Sequence, residues 1–184
     1  VQIRAQGTAT AEGLQQTPQL GMLSQLAHRA TGSAPYTLAL SFRRGVPELQ
    51  VNTSLQGLAL ALPPPLGKAA DSSLALRFDN QVARESLVGL ASNSGGGNGN
   101  TNGTSAPPLR DQITLDLGPL GSATYLRDLS GPQPLVLRGA IGVGLSNGES
   151  APMPAQGVAA NINQGKLDVD AWDEVLTRAT AAEP

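Results

Sequence analysis

The feature that most constrains this chain is a two-residue alternation of apolar and polar side chains, which recurs in separate stretches. Successive side chains of a β-strand point to opposite faces, so this alternation predicts strands with one apolar face. The apolar positions are Leu38, Leu40 and Phe42; Leu49 and Val51; Leu58, Leu60 and Leu62; Leu74, Leu76 and Phe78; Ile113, Leu115 and Leu117; Leu135, Leu137, Ile141, Val143 and Leu145; and Val158, Ala160, Ile162, Leu167 and Val169. They predict a mainly β fold with a minor helical part, an antiparallel sheet of about six to eight strands joined by short turns.

Two stretches follow helical spacing instead. Residues 17–32, TPQLGMLSQLAHRATG, place leucine and alanine on one face, with Thr17 as a cap and Gly32 as a terminator. Residues 170–181, DAWDEVLTRATA, begin with Asp170 as a cap. We therefore expect two amphipathic helices, the first of them lying on the sheet.

The segment 92–108, SNSGGGNGNTNGTSAPP, has a composition that cannot bury an apolar core. We expect it to be a flexible Gly/Asn/Ser-rich insert between two strands. No other change in composition divides the chain, so residues 1–184 are expected to form a single unit.

Composition argues against most kinds of chemistry. The net charge is −2, charged residues make up 14% of the chain and aromatic residues 3%, so no basic or stacking surface predicts nucleic-acid binding. The chain has no cysteine and one histidine, which excludes Cys and multi-His metal sites. The one histidine, His28, is expected at the surface, which argues against a histidine-based triad. Asp168, Asp170 and Asp173 have the spacing of helix-capping groups. We predict no enzyme activity, no catalytic residue, no metal and no cofactor.

Two glycine-containing stretches differ from phosphate-binding loops. The run from Gly139 to Gly144 continues the strand alternation, so we expect strand positions at which the chain bends or another surface comes close. Lys68 follows Gly67 without the upstream glycine spacing of a phosphate loop. Three prolines at 63–65 end the alternation after Leu62, and we expect a crossover there at the rim of the sheet.

Several motifs occur in an order that resembles a known family. They are LQVNTSLQGLALALPPPLGKAADSSLALRF (49–78), preceded by PQLGMLSQLAHRATG and RRGVPELQV and followed by LVLRGAIGVGL and INQGKLDVDAWDEVL. In this order they resemble the YhdP family of AsmA-like envelope proteins. The resemblance covers most of the chain but not the Gly/Asn/Ser-rich insert, and none of the motifs is catalytic.

The resemblance implies a slice of the periplasmic part of a large Gram-negative protein anchored in the inner membrane, with the anchor outside this fragment. In that family the strands form a curved, extended and repeating β-groove, whose apolar inner face is thought to carry phospholipid between the inner and outer membranes. The implied partners are phospholipid acyl chains and, as a second class, other envelope proteins.

Two functions remain open on the sequence. The first is a non-catalytic segment of a lipid-transport bridge, and its candidate lining residues are Leu38, Leu40, Phe42, Leu58, Leu60, Leu62, Leu74, Leu76, Leu135, Leu137, Ile141 and Val143. The second is a structural or adhesive β module that spaces or binds envelope proteins, for which the same residues would be ordinary core. A closed core with polar outer faces would favour the second function.

Overall fold

The computed structural model describes residues 2–16, 27–43, 45–83, 86, 108–145, 151–166 and 168–180. The strands are β1 (Gln2–Thr10), β2 (Ala30–Arg43), β3 (Val46–Thr53), β4 (Leu58–Leu60), β5 (Leu76–Val82), β6 (Arg110–Asp116), β7 (Gly121–Asp128), β8 (Leu135–Val143) and β9 (Gly157–Ile162). The helices are α1 (Ala11–Gln15) and α2 (Val169–Thr180), with a 3-10 turn at Gly118–Leu120.

All nine strands belong to one open sheet, in the order β1-β2-β3-β5-β6-β7-β8-β9, with β4 paired to the start of β2. The prediction of a mainly β fold is confirmed, with nine strands where about six to eight were expected. One pairing differs in direction, because β9 runs parallel to β8. A parallel pair needs a connection of a dozen residues or more, and the chain supplies residues 144–156 for it.

The predicted helix over residues 17–32 is wrong at its C-terminal end. Residues 17–26 lie outside the described part, but Ala30 to Gly32 are already strand and pair with Leu60 to Leu58 of β4. Gly32 has a φ of +93°, and a Cβ there would lie 2.3 Å from the Gly57 carbonyl oxygen. Glycine therefore serves a close backbone crossing here, where the sequence suggested a helix terminator. His28 lies in the preceding turn and is exposed, as expected.

The C-terminal helix is confirmed, but Asp170 does not cap it. Helix α2 begins at Val169, and the Asp168 carboxylate accepts a hydrogen bond from the Ala171 N–H at 3.0 Å. Asp168 is thus the capping residue. The Trp172 indole Nε1 donates to the Pro64 carbonyl at 2.9 Å, which joins this helix to the proline turn.

Buried apolar side chains such as Val82, Leu126 and Ala140 lie at separate positions, and a cluster of buried side chains lies at one end of the sheet. It is an end cluster of Ala11, Ala30, Ala34 and Leu58, with Leu55 and Leu60 packed against it. None of the described large side chains is completely buried. The strand surfaces therefore contribute little to a conventional closed core.

The proline-rich stretch returns on itself beside this end cluster. After β4 the chain turns through 63–66, and Lys68 comes back to pair with Leu60 through two backbone hydrogen bonds. The Lys68 ammonium donates to the carbonyl oxygens of Leu55, Leu58 and Ala69, at 2.9, 2.5 and 2.9 Å. Lys68 is thus a structural clamp that ties together both sides of the return.

Ser86 holds the two ends of the connection between β5 and β6. Its hydroxyl accepts from the Arg110 N–H at 2.8 Å and donates to the Pro108 carbonyl at 3.1 Å, and the residue is 2% exposed. The backbone N–H of Ala83 donates to the Arg110 carbonyl at 2.9 Å. These hydrogen bonds hold together the two ends of the connection that contains the insert, and we call this closure the neck. Residues 92–107 lie outside the described part.

We expect deletion of residues 92–106 to change the melting temperature by no more than about 2 °C, because the neck closes the loop and loop length alters stability slowly. Ser86→Ala should instead lower the free energy of unfolding by about 1–2 kcal/mol, because it removes the hydrogen bonds of a buried hydroxyl to the Arg110 N–H and the Pro108 carbonyl. Thermal unfolding followed by circular dichroism measures both. A loss of cooperative unfolding on deletion would show that the insert belongs to the core.

Candidate functional site

The register divides the sheet into two chemically different faces. Residues paired across neighbouring strands share a face, so the pairs Leu38–Val51, Val51–Phe78 and Phe78–Leu115 trace one surface from strand to strand. We call this surface the apolar face. Its members are Ile3, Ala5, Gly7 and Ala9; Ala34, Tyr36, Leu38, Leu40 and Phe42; Pro47, Leu49, Val51 and Thr53; Leu76, Phe78, Asn80 and Val82; Asp111, Ile113 and Leu115; Ala123, Tyr125 and Arg127; Gly139, Ile141 and Val143; and Val158, Ala160 and Ile162.

The opposite surface, the polar face, carries the alternate residues of the same strands. The pairs Gln50–Asp79, Asp79–Thr114 and Thr114–Thr124 run across its centre. Alternation of this kind is expected of an antiparallel sheet with one solvated side. What differs from such a sheet is that the apolar side is also accessible.

Apart from Val82, which is 6% exposed, the large side chains of the apolar face are half-buried or exposed. Leu38, Leu40, Val51, Phe78 and Leu115 are half-buried, flanked by their neighbours on the same surface. Towards the margins exposure rises, to 50% at Ile3, 47% at Phe42 and 53% at Val158. Monomeric proteins rarely expose continuous apolar patches larger than a few hundred Å², and such patches mark binding surfaces.

The described residues of the β8–β9 crossover next to Gly142 lie on the polar face. A Cβ at Gly142, on that face, would lie 2.6 Å from Leu145 and 3.6 Å from Ala151. These two residues lie on either side of residues 146–150 in the β8–β9 crossover. Leu126 and Ala140 of the polar face are 6% and 5% exposed. Helix α1 contacts β1 and β2, and its Ala11 belongs to the end cluster with Leu58 of β4. Burial at this level is found on both faces, since Ala34, Val82 and Asp111 of the apolar face are 2%, 6% and 4% exposed.

Two tyrosines lie over glycines of the adjacent strand on the apolar face. A Cβ at Gly7 would lie 2.9 Å from the Tyr36 hydroxyl oxygen, and a Cβ at Gly139 would lie 2.5 Å from the Tyr125 ring. An aromatic ring placed over a cross-strand glycine fills the missing side-chain volume. The expectation of a close approach in the Gly139 run is thus met by Tyr125. A depression of about 620 Å³ takes in Gly7, Tyr36 and Thr53.

The two charged side chains of the apolar face neutralise each other. Arg127 donates to both Asp111 oxygens, Nε to Oδ1 at 3.0 Å and Nη2 to Oδ2 at 2.6 Å, and Asp111 is 4% exposed. This bidentate geometry satisfies the carboxylate fully. The pair lies at the end of the strands near Ser86, so the apolar face carries no net charge.

The polar face has its own charged network. Asp79 accepts from Arg77 Nε at 2.6 Å and from Gln50 Nε2 at 2.8 Å. The hydrogen bond to Asp79 and its charge raise the pKa of the Arg77 guanidinium above its usual value. A hollow of about 470 Å³ lies beside Asp79, lined also by Gln112, Thr114 and Arg138. Since Asp79 is already fully bonded, this network is structural.

The predicted lining residues fall into three groups. Leu38, Leu40, Phe42, Leu76, Ile141 and Val143 lie on the apolar face. Leu58 and Leu60 lie in the end cluster, Leu62 lies half-buried in the proline turn, and Leu74 lies buried outside the strands. Leu135, 64% exposed, and half-buried Leu137 flank the register shift at the start of β8.

The sequence prediction missed several members of the apolar face. Leu49, Val51, Phe78, Ile113 and Leu115 had the right alternation, and their central position follows only from the strand order. Strands β1 and β7 were not predicted at all, and they add Ile3, Ala123 and Tyr125.

The fold and the site together define a class of protein, a single open β-sheet with one accessible apolar face. Searches against protein-family models, curated proteins and solved structures find no match for this chain. Within the described residues no helix has both the length and the apolarity needed to cross a membrane. The described residues contain no cluster of potential metal ligands.

Tyr125 reports on the apolar face, because burial raises the pKa of its phenol. We expect Tyr125 to ionise above the ordinary value of about 10. The unfolded chain then ionises first, so folded stability falls as pH rises above that value. In a Tyr36→Phe background Tyr125 is the only tyrosine, and its absorbance titration gives the pKa directly.

Circular dichroism at each pH must show that the sheet persists during this titration. An amphiphile that covers the apolar face should raise the pKa of Tyr125 further, because it removes more water from the phenol. Ionisation at the ordinary value, unchanged by amphiphile, would place the phenol in solvent.

Proposed function

We propose that this chain is a non-catalytic, lipid-contacting segment whose apolar face holds the acyl chains of phospholipids. The observation that carries the proposal is the continuity of that face across eight neighbouring strands, with its large aliphatic side chains, except Val82, left half-buried or exposed. Acyl chains are ligands without hydrogen-bonding groups, and a neutral aliphatic surface suits them.

The dimensions of the apolar face agree with this ligand. Eight strands spaced about 4.8 Å apart give a surface roughly 34 Å wide, and about six residues of strand give a height of roughly 20 Å. The hydrocarbon core of a bilayer, two acyl chains deep, is about 30 Å thick. A surface of this size would accommodate more than one acyl chain lying across the strands.

The resemblance to the YhdP family supplies the proposed setting. In that setting the chain is part of the periplasmic region of an inner-membrane-anchored protein, and the sheet is one stretch of a curved groove that moves phospholipid between the two membranes. The open sheet and the accessible apolar face support this proposal. The residues proposed to contact lipid are those of the apolar face, and Leu58 and Leu60 are removed from the set because they pack in the end cluster.

The alternative, a structural or adhesive β module, has less support. It predicted a closed core with polar outer faces, whereas the large side chains of the apolar face other than Val82 are half-buried or exposed. Among the described strands, β1 and β9 form the sheet edges and each pairs with a partner on one side, and such edges could bind other envelope proteins. That observation concerns the edges and gives no role to the apolar face.

Photo-crosslinking tests the proposed function residue by residue. A benzophenone amino acid placed at Leu40, on the apolar face, should crosslink to phospholipid in bacterial cells. The same group at the next residue, Ser41, points to the polar face and is half-buried like Leu40, so it is the matched control. Equal labelling at both positions, or none at Leu40, would contradict the proposal.

A further inference from the structure

We propose that, without lipid, two copies of this chain pack their apolar faces against each other. This inference concerns the same surface as the proposed function, but it does not depend on that function being correct. It follows from the area, charge and position of the apolar face.

The area of the apolar face lies within the range of a specific dimer interface. Roughly 34 Å by 20 Å gives at most about 700 Å² on each copy and at most about 1,400 Å² for a pair, because the twist of each sheet limits the width over which two faces meet. Specific protein interfaces bury about 1,600 ± 400 Å² in total. Two sheets that meet through apolar faces pack about 10 Å apart, the arrangement found in β-sandwiches.

The charge of the apolar face also permits self-association. A two-fold dimer brings the same surface of each copy together, so an unpaired charge would face a charge of the same sign and repel it. The charged groups of the apolar face are Asp111 and Arg127, and in each copy they form one ion pair whose charges cancel. The cations and carboxylates of the central strands, such as Arg77 and Asp79, lie on the polar face, outside the interface.

Edge pairing is the competing arrangement, and it satisfies a different need. Pairing through β1 or β9 would satisfy backbone groups along one edge but would leave Leu38, Phe78 and Leu115 as accessible as before. Face-to-face packing buries these side chains, and apolar burial is the main driving force of association. We therefore assign the interface to the apolar face.

Acyl chains and a second copy would occupy the same surface, so each should displace the other. Binding that favours the single copy must weaken the dimer by the same factor by which dimerisation weakens lipid binding. A lipid-free chain thus protects its apolar face, and loading with lipid releases the single copy.

Sedimentation equilibrium of delipidated protein tests this inference. We expect a species of twice the 18.8 kDa chain mass. Ala123→Glu places a charge on the apolar face, between Leu115 and Ile141, and should raise the dimer dissociation constant at least about 100-fold, because the charge would be buried without a partner. Thr124→Glu adds the same charge to the polar face and should leave the dimer intact.

A soluble phospholipid, diheptanoylphosphatidylcholine below its micelle concentration, should convert the wild-type dimer to the single copy. Circular dichroism must show that both variants fold. A wild-type chain that stays single after delipidation, or a dimer that persists in Ala123→Glu, would overturn the inference. A dimer that the phospholipid leaves intact would count against the proposed function instead. Crosslinking to lipid at Leu40 is a separate measurement, so failure of the proposed function would be recognised independently.

Discussion

Ala123→Glu should remove most of the phospholipid that accompanies the wild-type chain, at least a tenfold loss per chain, while Thr124→Glu should retain it. The two residues are adjacent in β7 and both are half-buried, but their side chains point to opposite faces of the sheet. A carboxylate on the apolar face would have to lose its water wherever an acyl chain covers it, which costs several kcal/mol. The same carboxylate on the polar face remains solvated.

The measurement is the ratio of phospholipid to protein after solvent extraction, determined by mass spectrometry for both variants. Matching melting curves are the control for folding. Equal lipid loss in the two variants would mean that added charge, rather than the face that carries it, decides binding.

Lys68→Met should lower the free energy of unfolding by about 2–3 kcal/mol, the range expected when hydrogen bonds to a charged group are lost. The variant keeps most of the aliphatic length of the side chain but loses the hydrogen bonds to the carbonyl oxygens of Leu55, Leu58 and Ala69. For a chain of this size the melting temperature should fall by roughly 4–12 °C, at about 2–4 °C per kcal/mol.

The other lysine of the chain provides the matched control for this clamp. Lys166 is exposed, so Lys166→Met makes the same chemical change without removing a described hydrogen bond and should alter the melting temperature by less than about 2 °C. Chemical denaturation of both variants gives the free energies. Equal, small effects in the two variants would show that the Lys68 contacts are not stabilising.

The sequence predicted the central strands well because their alternating positions are filled by large aliphatic residues. Leu38, Leu40, Phe78 and Leu115 each belong to a run in which every second residue is apolar, and only a strand places the apolar residues of such a run on one surface. Strands β1 and β7 escaped prediction because small residues occupy their apolar positions, such as Ala5, Gly7 and Ala123. Their place on the apolar face becomes visible only in the structure, where Tyr36 of β2 lies over Gly7 of β1 and Tyr125 of β7 lies over Gly139 of β8.

The position of the prolines was predictable, but the contacts around them were not. Leu58 and Leu60 alternate like the face residues, yet β4 pairs with the start of β2 and places Leu58 among Ala11, Ala30 and Ala34. That outcome depends on the backbone crossing at Gly32 and Gly57, which strand periodicity does not encode. The Lys68 clamp was equally hidden, because its acceptors are backbone carbonyls and have no side-chain signature.

The direction of β9 was also beyond the sequence pattern. Val158, Ala160 and Ile162 alternate equally well in a parallel or an antiparallel strand, and both orientations place them on the apolar face. Only the longer connection from residue 144 to residue 156 favours a crossover. The candidate face could therefore be predicted as a set of apolar strand faces, while its continuity from β1 to β9 required the strand order.

The phospholipid content of the chain purified from bacterial cells tests the central claim most directly. Solvent extraction and mass spectrometry, compared with a mock purification, should find phospholipid at a reproducible ratio to protein, because the accessible apolar face holds acyl chains. A cooperatively folded chain that reproducibly carries no phospholipid would contradict the account and would leave the apolar face to a protein partner.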